Sequence, residues 1–595
     1  MPAIDRKTMP APVEDIENAL SVEIASAVNL PVPECRRLTG PGLLWDRPGA
    51  VLDVFYHDME YKRVGELWEE QARRILDAVG WPQEQSIARQ FTGGCNLAIS
   101  APMDQLYSAV FVAETAWHFC AAALLQRPSQ DFSAMVIALK KVMAMETNPA
   151  LTALLDNAKK VGVDALCDDD EVSMGYGIGS QTWQANNLPA VGNVNWPELH
   201  DIPLALITGT NGKTTTTRLC AAIARSSGKV SGLTSTDLVR VGDDVIERGD
   251  FSGPGGARLL LRDKRLEIGV LEVARGGILR RGLAVRHAQV AAVLNVAADH
   301  LGDYGVNTVA ELAEAKFAVH RALVPHGVLV LNADDPYVVA QAARTSGQLC
   351  WFSLDAHSPQ VIDARTNGNN CAWLEADALV YFDGAQTIRL AAANQIPITM
   401  NGRARYNILN ALAAVCVCRA LGIDSESIRK GLVEFQNNTS DNPGRLNEFK
   451  IKGAKVFVDF AHNPHSIAAV TGALGTLEAK RRIVMISNAG DRSNEAIREL
   501  TRGAFALKPD FIMTAELPDY LRGRALGEVS RVINEECIAL GMSEAHILQS
   551  ASPSAGTAAI LNMIEPNDLV LLLVHSQRDT IFEMLTLAST DTQNW

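Results

Sequence analysis

The segment Leu204-Ala-Leu-Ile-Thr-Gly-Thr-Asn-Gly-Lys-Thr-Thr-Thr216 reads as a buried strand, a glycine-rich turn and a helix that opens on Lys213 and Thr214. A strand, a glycine-rich turn and a helix in that order form a phosphate cradle, which constrains both fold and chemistry. Glycines let backbone N–H groups close on phosphate oxygens, the helix N-terminus favours negative charge, a lysine there neutralises the β/γ charge, and the next hydroxyl reaches Mg²⁺. Gly209, Thr210, Asn211, Gly212, Lys213, Thr214 and Thr215 are therefore the candidate phosphate-binding residues. A strict phosphate loop has a glycine where this chain has Ile207, and its first glycine is Gly209. A glycine turn without ligand would explain Gly209 and Gly212 but not the Lys213-Thr214 pair.

After Asp201 strand and helix patterns alternate to the end, as in doubly wound domains. Strands are expected at 205–208, 268–272, 290–295, 328–332, 456–459 and 483–486, so Glu272, Asn295, Asn332 and Asp459 fall at carboxyl ends, where such sheets bind ligands. Before Asp201 the pattern is mixed: a strand at 51–55, helices at 64–79 and 105–125, then an acidic run (Asp168-Asp-Asp-Glu171) and a glycine-rich piece (Gly175-Tyr-Gly-Ile-Gly179). The expected division is an α+β domain at 1–165, a linker or remnant at 166–200, a central P-loop-like domain at 201–443 and a Rossmann-like domain at 444–595. The fold class is multi-domain α/β.

The 595 residues are too many for one core. A net charge of −14 argues against broad nucleic-acid binding, which needs a basic face. The ten cysteines include no CxxC pair, which favours reduced thiols over zinc or disulfides. The start, Met1-Pro-Ala-Ile-Asp-Arg-Lys, lacks a signal-peptide core, and no apolar run is read as approaching the ~20 residues of a membrane span. A cytoplasmic protein with no membrane and no nucleic-acid partner is expected.

Other residues gain meaning together. Glu272 ends a strand and precedes Val-Ala-Arg-Gly-Gly-Ile-Leu-Arg280; its carboxylate could share Mg²⁺ with Thr214, since that ion prefers oxygen ligands. Asp299-His300 follows the next strand, and Lys316 would alone pass for a solvated helix lysine. Gly-Thr-Asn-Gly-Lys-Thr, Glu272, Asp299-His300, Lys316, Asn332-Ala-Asp-Asp335, Asn407-x-x-Asn410, Pro443-Gly-Arg445 and Asp459-Phe-Ala-His-Asn-Pro464 stand in the order and spacing of the Mur ligases. The resemblance runs from about Asp201 to the C-terminus.

It implies an ATP-dependent ligase that activates a carboxylate as an acyl phosphate and joins it to an amine. ATP and Mg²⁺ are the implied cofactors. By matched position Lys213, Glu272, His300 and Lys316 are the catalytic candidates; Thr214, Glu272 and His300 would hold metal, joined by Lys316 if CO₂ carbamylates it. Asn410, Asp334, Arg445 and Asp459 would contact or organise the nucleotide, and His462 and Asn463 would face the cleft. Phe460 stands where the motif more often has tyrosine.

Further motifs, Gly249-Asp-Phe-Ser-Gly-Pro254, the 271–280 turn, Gly490-Asp-Arg492, Tyr520-Leu-Arg-Gly-Arg524 and Arg37-Leu-Thr-Gly-Pro-Gly-Leu-Leu-Trp45, resemble the cyanophycin synthetase branch, without its ATP-grasp module. That resemblance implies an amino acid as amine, an acidic peptide or amino acid as acceptor, and a homo-oligomer. Arg275, Arg280, Arg492, Arg522 and Arg524 would bind the acidic acceptor. A non-catalytic partner of a full synthetase and a Mur-type ligase for another acidic acceptor are the alternatives.

Overall fold

The computed structural model describes residues 11–20, 33–55, 61–345 and 347–591; the Met1 segment lies outside them. Its centre is an eleven-stranded sheet. From Ser231–Thr234 through Ile268–Glu272, Leu204–Thr208, Ala288–Val293, Leu323–Asn332, Gln348–Ser353 and Cys371–Glu375 the pairing is parallel, with antiparallel strands at both edges. The inner strands Leu204–Thr208 and Ile268–Glu272 are buried at every residue, as expected where helices cover both faces. The phosphate-loop helix Lys213–Ser226 and the helix Arg405–Ala420 share one core beneath this sheet.

A second, six-stranded sheet is built from Arg445–Ile451, Ala454–Asp459, Leu569–Leu573, Arg482–Ile486, Phe511–Ala515 and Ile547–Ser550, in that order; only its first pair is antiparallel. Asp459 ends its strand facing the first sheet across a cleft that both sheets line.

The chain before Asp201 forms two small sheets. Four antiparallel strands, Glu34–Leu38, Gly49–Phe55, Gly94–Ser100 and Ser86–Phe91, carry the helices Tyr61–Val79, Leu106–Leu125 and Phe132–Glu146 on a shared core. The span from Met103 to Leu125 is long and apolar enough to cross a membrane, which corrects the reading that no run approaches that length; 67% of its most apolar stretch is buried in this domain, the environment of a core helix.

Residues 166–200, expected as linker, contain the strands Glu171–Met174 and Gln181–Gln184, which pair with Ala165–Cys167 and have a core of their own. The acidic run helps to dock them. Asp168 pairs with Arg258 at 3.2 Å and Arg262 at 2.8 Å, and Glu171 with Arg262 at 3.0 Å, all across to the central domain.

Candidate active site

The strand Leu204–Thr208 delivers Gly209 and the loop beyond it to the carboxyl edge of the central sheet. Gly212 opens the following helix with φ 84°, a left-handed value that favours glycine, and a Cβ there would meet Asn410 Oδ1 at 2.3 Å. The loop is thus closed from above by Asn410, which donates to Asn407 Oδ1 at 3.0 Å. From the side Asn295 accepts from the Asn211 backbone N–H at 2.8 Å and donates back to the Asn211 carbonyl at 2.9 Å. Lys213 Nζ lies over the loop, donating to the Thr210 carbonyl at 3.0 Å.

The cleft beyond the loop has a volume of about 440 Å³. Thr210 to Thr215, Glu272, Asp334, Asn410, Arg445, Asp459 and His462 all line it, so the motifs of two sheets converge on one space. Arg445 reaches across to Thr214 Oγ1 at 3.3 Å and lies 5.0 Å from the Phe460 ring centre. Glu272 is only 2% exposed: burial pushes its carboxyl up, while Lys213 and Arg445 pull it down. A buried carboxylate beside a hydroxyl is the hard oxygen donor set that suits Mg²⁺, and Thr214 and Glu272 would hold that ion. Burial likewise raises the Asp459 carboxyl to about 6, although Arg445 opposes the shift. Asp334 is held by Ser353 Oγ and by the Leu354 N–H at 2.8 Å.

His300, Lys316 and Asn463 do not line this cleft; Asn463 and His300 sit against residues that do, Asn211 and His462, and Lys316 against Gly209, next to Thr210. Lys316 Nζ donates to the Gly209 carbonyl at 2.9 Å, and burial, with repulsion from Lys213, pushes its ammonium far below lysine's ordinary value. Asn463 caps the helix Pro464–Leu474 and exchanges amide hydrogen bonds with Asn211 at 3.1 and 3.3 Å. Near His300, the ligand atoms of Asp299, His300 and His462 lie within 4.8 Å of one another, an oxygen-and-imidazole set that fits a divalent cation. Burial works against the Asp299 anion, but His462, His300 and Arg492 hold its carboxyl well below the usual range.

The five arginines expected for the acceptor are mostly engaged. Arg492 donates to Asp299 at 3.1 Å and to His300 Nε2 at 3.2 Å. Arg275 bonds the His300 carbonyl and Asp303, the latter at 2.8 Å. Arg522 pairs with Asp491, and Arg524 ties Gly490, Arg492, Asn494 and Glu528 into one turn. Arg280 is exposed.

Sequence reading passed over Asp237. It pairs with Arg218 at 3.0 Å and with Arg578 at 2.6 Å, joining the two large domains on the far side of Thr214. No motif marks it, since its partner is 341 positions away. Sequence reading takes Asp299 as part of the Asp299-His300 motif but gives it no role of its own.

Comparison with known proteins agrees with this geometry. The Mur ligase middle domain is matched over residues 207–418, and the Mur ligase glutamate ligase domain over 444–573. The chain belongs to the Mur ligase family. It is 40% identical to cyanophycin synthetase of Geminocystis herdmanii over 362 residues, 60% of this chain and 41% of that one. It is 42% identical to cyanophycin synthetase of a Nostoc species over 56% of this chain and 37% of that one. A more distant relative is UDP-N-acetylmuramoyl-L-alanyl-D-glutamate--2,6-diaminopimelate ligase of Chlamydia pneumoniae, 29% identical over 48% of this chain and 57% of that one. The matched region spans about two fifths of the length of the cyanophycin synthetases. Among solved structures, E. coli FolC in complex with ADP overlaps with a TM-score of 0.47 at 17% identity, covering 66% of this chain and 90% of that one; the fold stands on the topology above rather than on that overlap.

Proposed function

We propose that this protein is an ATP-dependent amide ligase that activates a carboxylate as an acyl phosphate and joins it to the amine of an amino acid. The observation that supports the reading is the convergence of the phosphate loop, Glu272 and Arg445 on one cleft between two domains, with the Asp299-His300-His462 group and Lys316 beside it. In the first step the bond from the γ-phosphorus to ADP breaks as one forms to the acceptor carboxylate oxygen. In the second, the amine nitrogen attacks the acyl carbon, phosphate leaves and the nitrogen loses one proton.

Lys213, the loop N–H groups and Arg445 would neutralise the charge that builds on the phosphates, and they do so from fixed positions. Mg²⁺ held by Thr214 and Glu272, and a second cation at His300, would supply further neutralisation when bound. CO₂ could add to the neutral form of the buried Lys316 amine: an N–C bond forms, one N–H proton is released to solvent, and the product is an anion. Contacts of Arg445 and Asn463 with the phosphate loop hold the two domains together over the cleft, which would keep water from the acyl phosphate.

The relatives named above motivate the choice of substrates: an amino-acid amine paired with a side-chain-type carboxylate on an acidic peptide or amino acid, as in cyanophycin-like metabolism. Purified full-length protein with ATP and Mg²⁺ should release phosphate with one such pair, and the product mass should be that of the amide. The Lys213→Ala variant should lose about a thousandfold in that rate. If no pair releases more phosphate than Lys213→Ala does, the ligase reading fails.

A further inference from the structure

The loop from His300 to Asn307 is held in an unusual shape. His300 (φ 48°) and Tyr304 (φ 53°) both adopt the left-handed region, which residues with a Cβ disfavour. Such a loop keeps its shape only where its surroundings enforce it. Much of that enforcement comes from the four-stranded sheet at 34–100, which lies outside both matched family regions.

Asn96, 2% exposed, donates to Asp53 Oδ1 at 2.7 Å and to the Tyr304 carbonyl at 3.3 Å. Asp53 is paired with Arg36, whose guanidinium sits 4.6 Å from the Tyr304 ring centre and donates to the Leu279 carbonyl at 3.0 Å. Arg89 donates to Asn96 Oδ1 at 3.1 Å, to the Gly305 carbonyl at 3.2 Å and to Glu314 at 2.6 Å. Phe91 fills the space beside Gly305, where a Cβ would come within 2.4 Å of its ring. Thr92 accepts from Asn307 and donates from its backbone to Glu311 at 3.1 Å. Glu311 and Glu314 lie on the helix Val309–Phe317, which also carries Lys316. Polar contacts therefore run from the small sheet to the His300 loop and to the helix Val309–Phe317, whose Lys316 reaches the phosphate loop.

We infer that the N-terminal sheet braces the His300 loop and the Lys316 helix, with Arg89 and Asn96 as positioning residues for the amide-forming step. This rests on the reading of His300 and Lys316 as reaction-side groups. Neither Arg89 nor Asn96 lines the cleft, so the brace should act on turnover more than on ATP affinity.

The test uses the full chain. In Arg89→Ala and Asn96→Ala, hydrogen exchange of the amides at 299–307 should rise about tenfold. Turnover with the substrate pair found above should fall about tenfold or more, KM for ATP should stay within about twofold, and Arg89→Lys should recover part of the loss. Because Asn96 is buried, its replacement risks the fold itself; Glu314→Gln attacks the Arg89 contact from the central domain and should give the same split. Unchanged exchange at 299–307 in both Arg89→Ala and Glu314→Gln overturns the inference. If His300→Ala keeps full turnover, the reaction-side reading of His300 fails instead, and the exchange data still decide whether the brace exists.

Discussion

Two carboxylates join the C-terminal domain to the central one, and they have different company. Asp237 faces guanidinium groups only: Arg218, 1% exposed, and Arg578, with Arg445 close enough to help hold its carboxyl low although burial opposes it. Asp299 faces one guanidinium, Arg492, and two imidazoles, His300 and His462. A guanidinium stays charged at any working pH and cannot bind a metal, so the Asp237 side is a fixed joint. Imidazoles are metal ligands, so the Asp299 side can exchange its internal partners for a cation and a substrate. On the proposed function, the Asp237 side of the cleft would hold still and the Asp299 side would rearrange.

The largest effect expected from breaking that contrast is at Asp237. Asp237→Ala leaves the buried Arg218 cation without its carboxylate and should lower stability by about 3 kcal/mol, read as the shift in a urea melt. If the melt does not move, the Asp237 side is no joint.

Asp459 lies between the two sides and supplies a pH test. Its folded pKa of about 6 exceeds the ~3.9 of an unfolded aspartate. The folded state holds the proton more tightly, so this group's contribution is fully present below pH ~4 and is lost as pH rises to about 6. Asp459→Asn cannot ionise and should gain on the order of 2 kcal/mol relative to the parent between pH 4 and pH 7. Parallel melts at the two pH values that show the same difference would remove burial as the cause.

Asp299→Asn should cost about 1 kcal/mol in low salt and less at high salt, because its partners are partly exposed. Measuring the same variant at two ionic strengths separates it from Asp237→Ala, whose partner is buried. The smallest effect belongs to Arg280→Ala: exposed, it should change stability by less than about 0.5 kcal/mol, while weakening an acidic acceptor severalfold in KM if it contacts one.

The phosphate loop was legible because its residues are contiguous, and their chemistry needs no distant partner to be recognised. Glu272 and Asp459 were legible as polar residues ending apolar strands, and both line the cleft. The arginines were visible as charges but not as contacts. Arg524, read as a ligand for an acidic acceptor, also organises the turn at 490–494. The acidic run at 168–171 looked like a solvated linker because Arg258 and Arg262, which neutralise it, lie some ninety positions away.

By itself the sequence determined the alternating α/β architecture, the loop that can hold phosphate and the strand ends that face it, since each depends on residues adjacent in the chain or on the period of a single element. Only the tertiary structure decided which charges face a ligand and which face each other. A long charged side chain takes its partner from whatever docking brings near, and here those partners come from hundreds of residues away: Arg578 to Asp237, Arg89 to Glu314, Asn463 to Asn211.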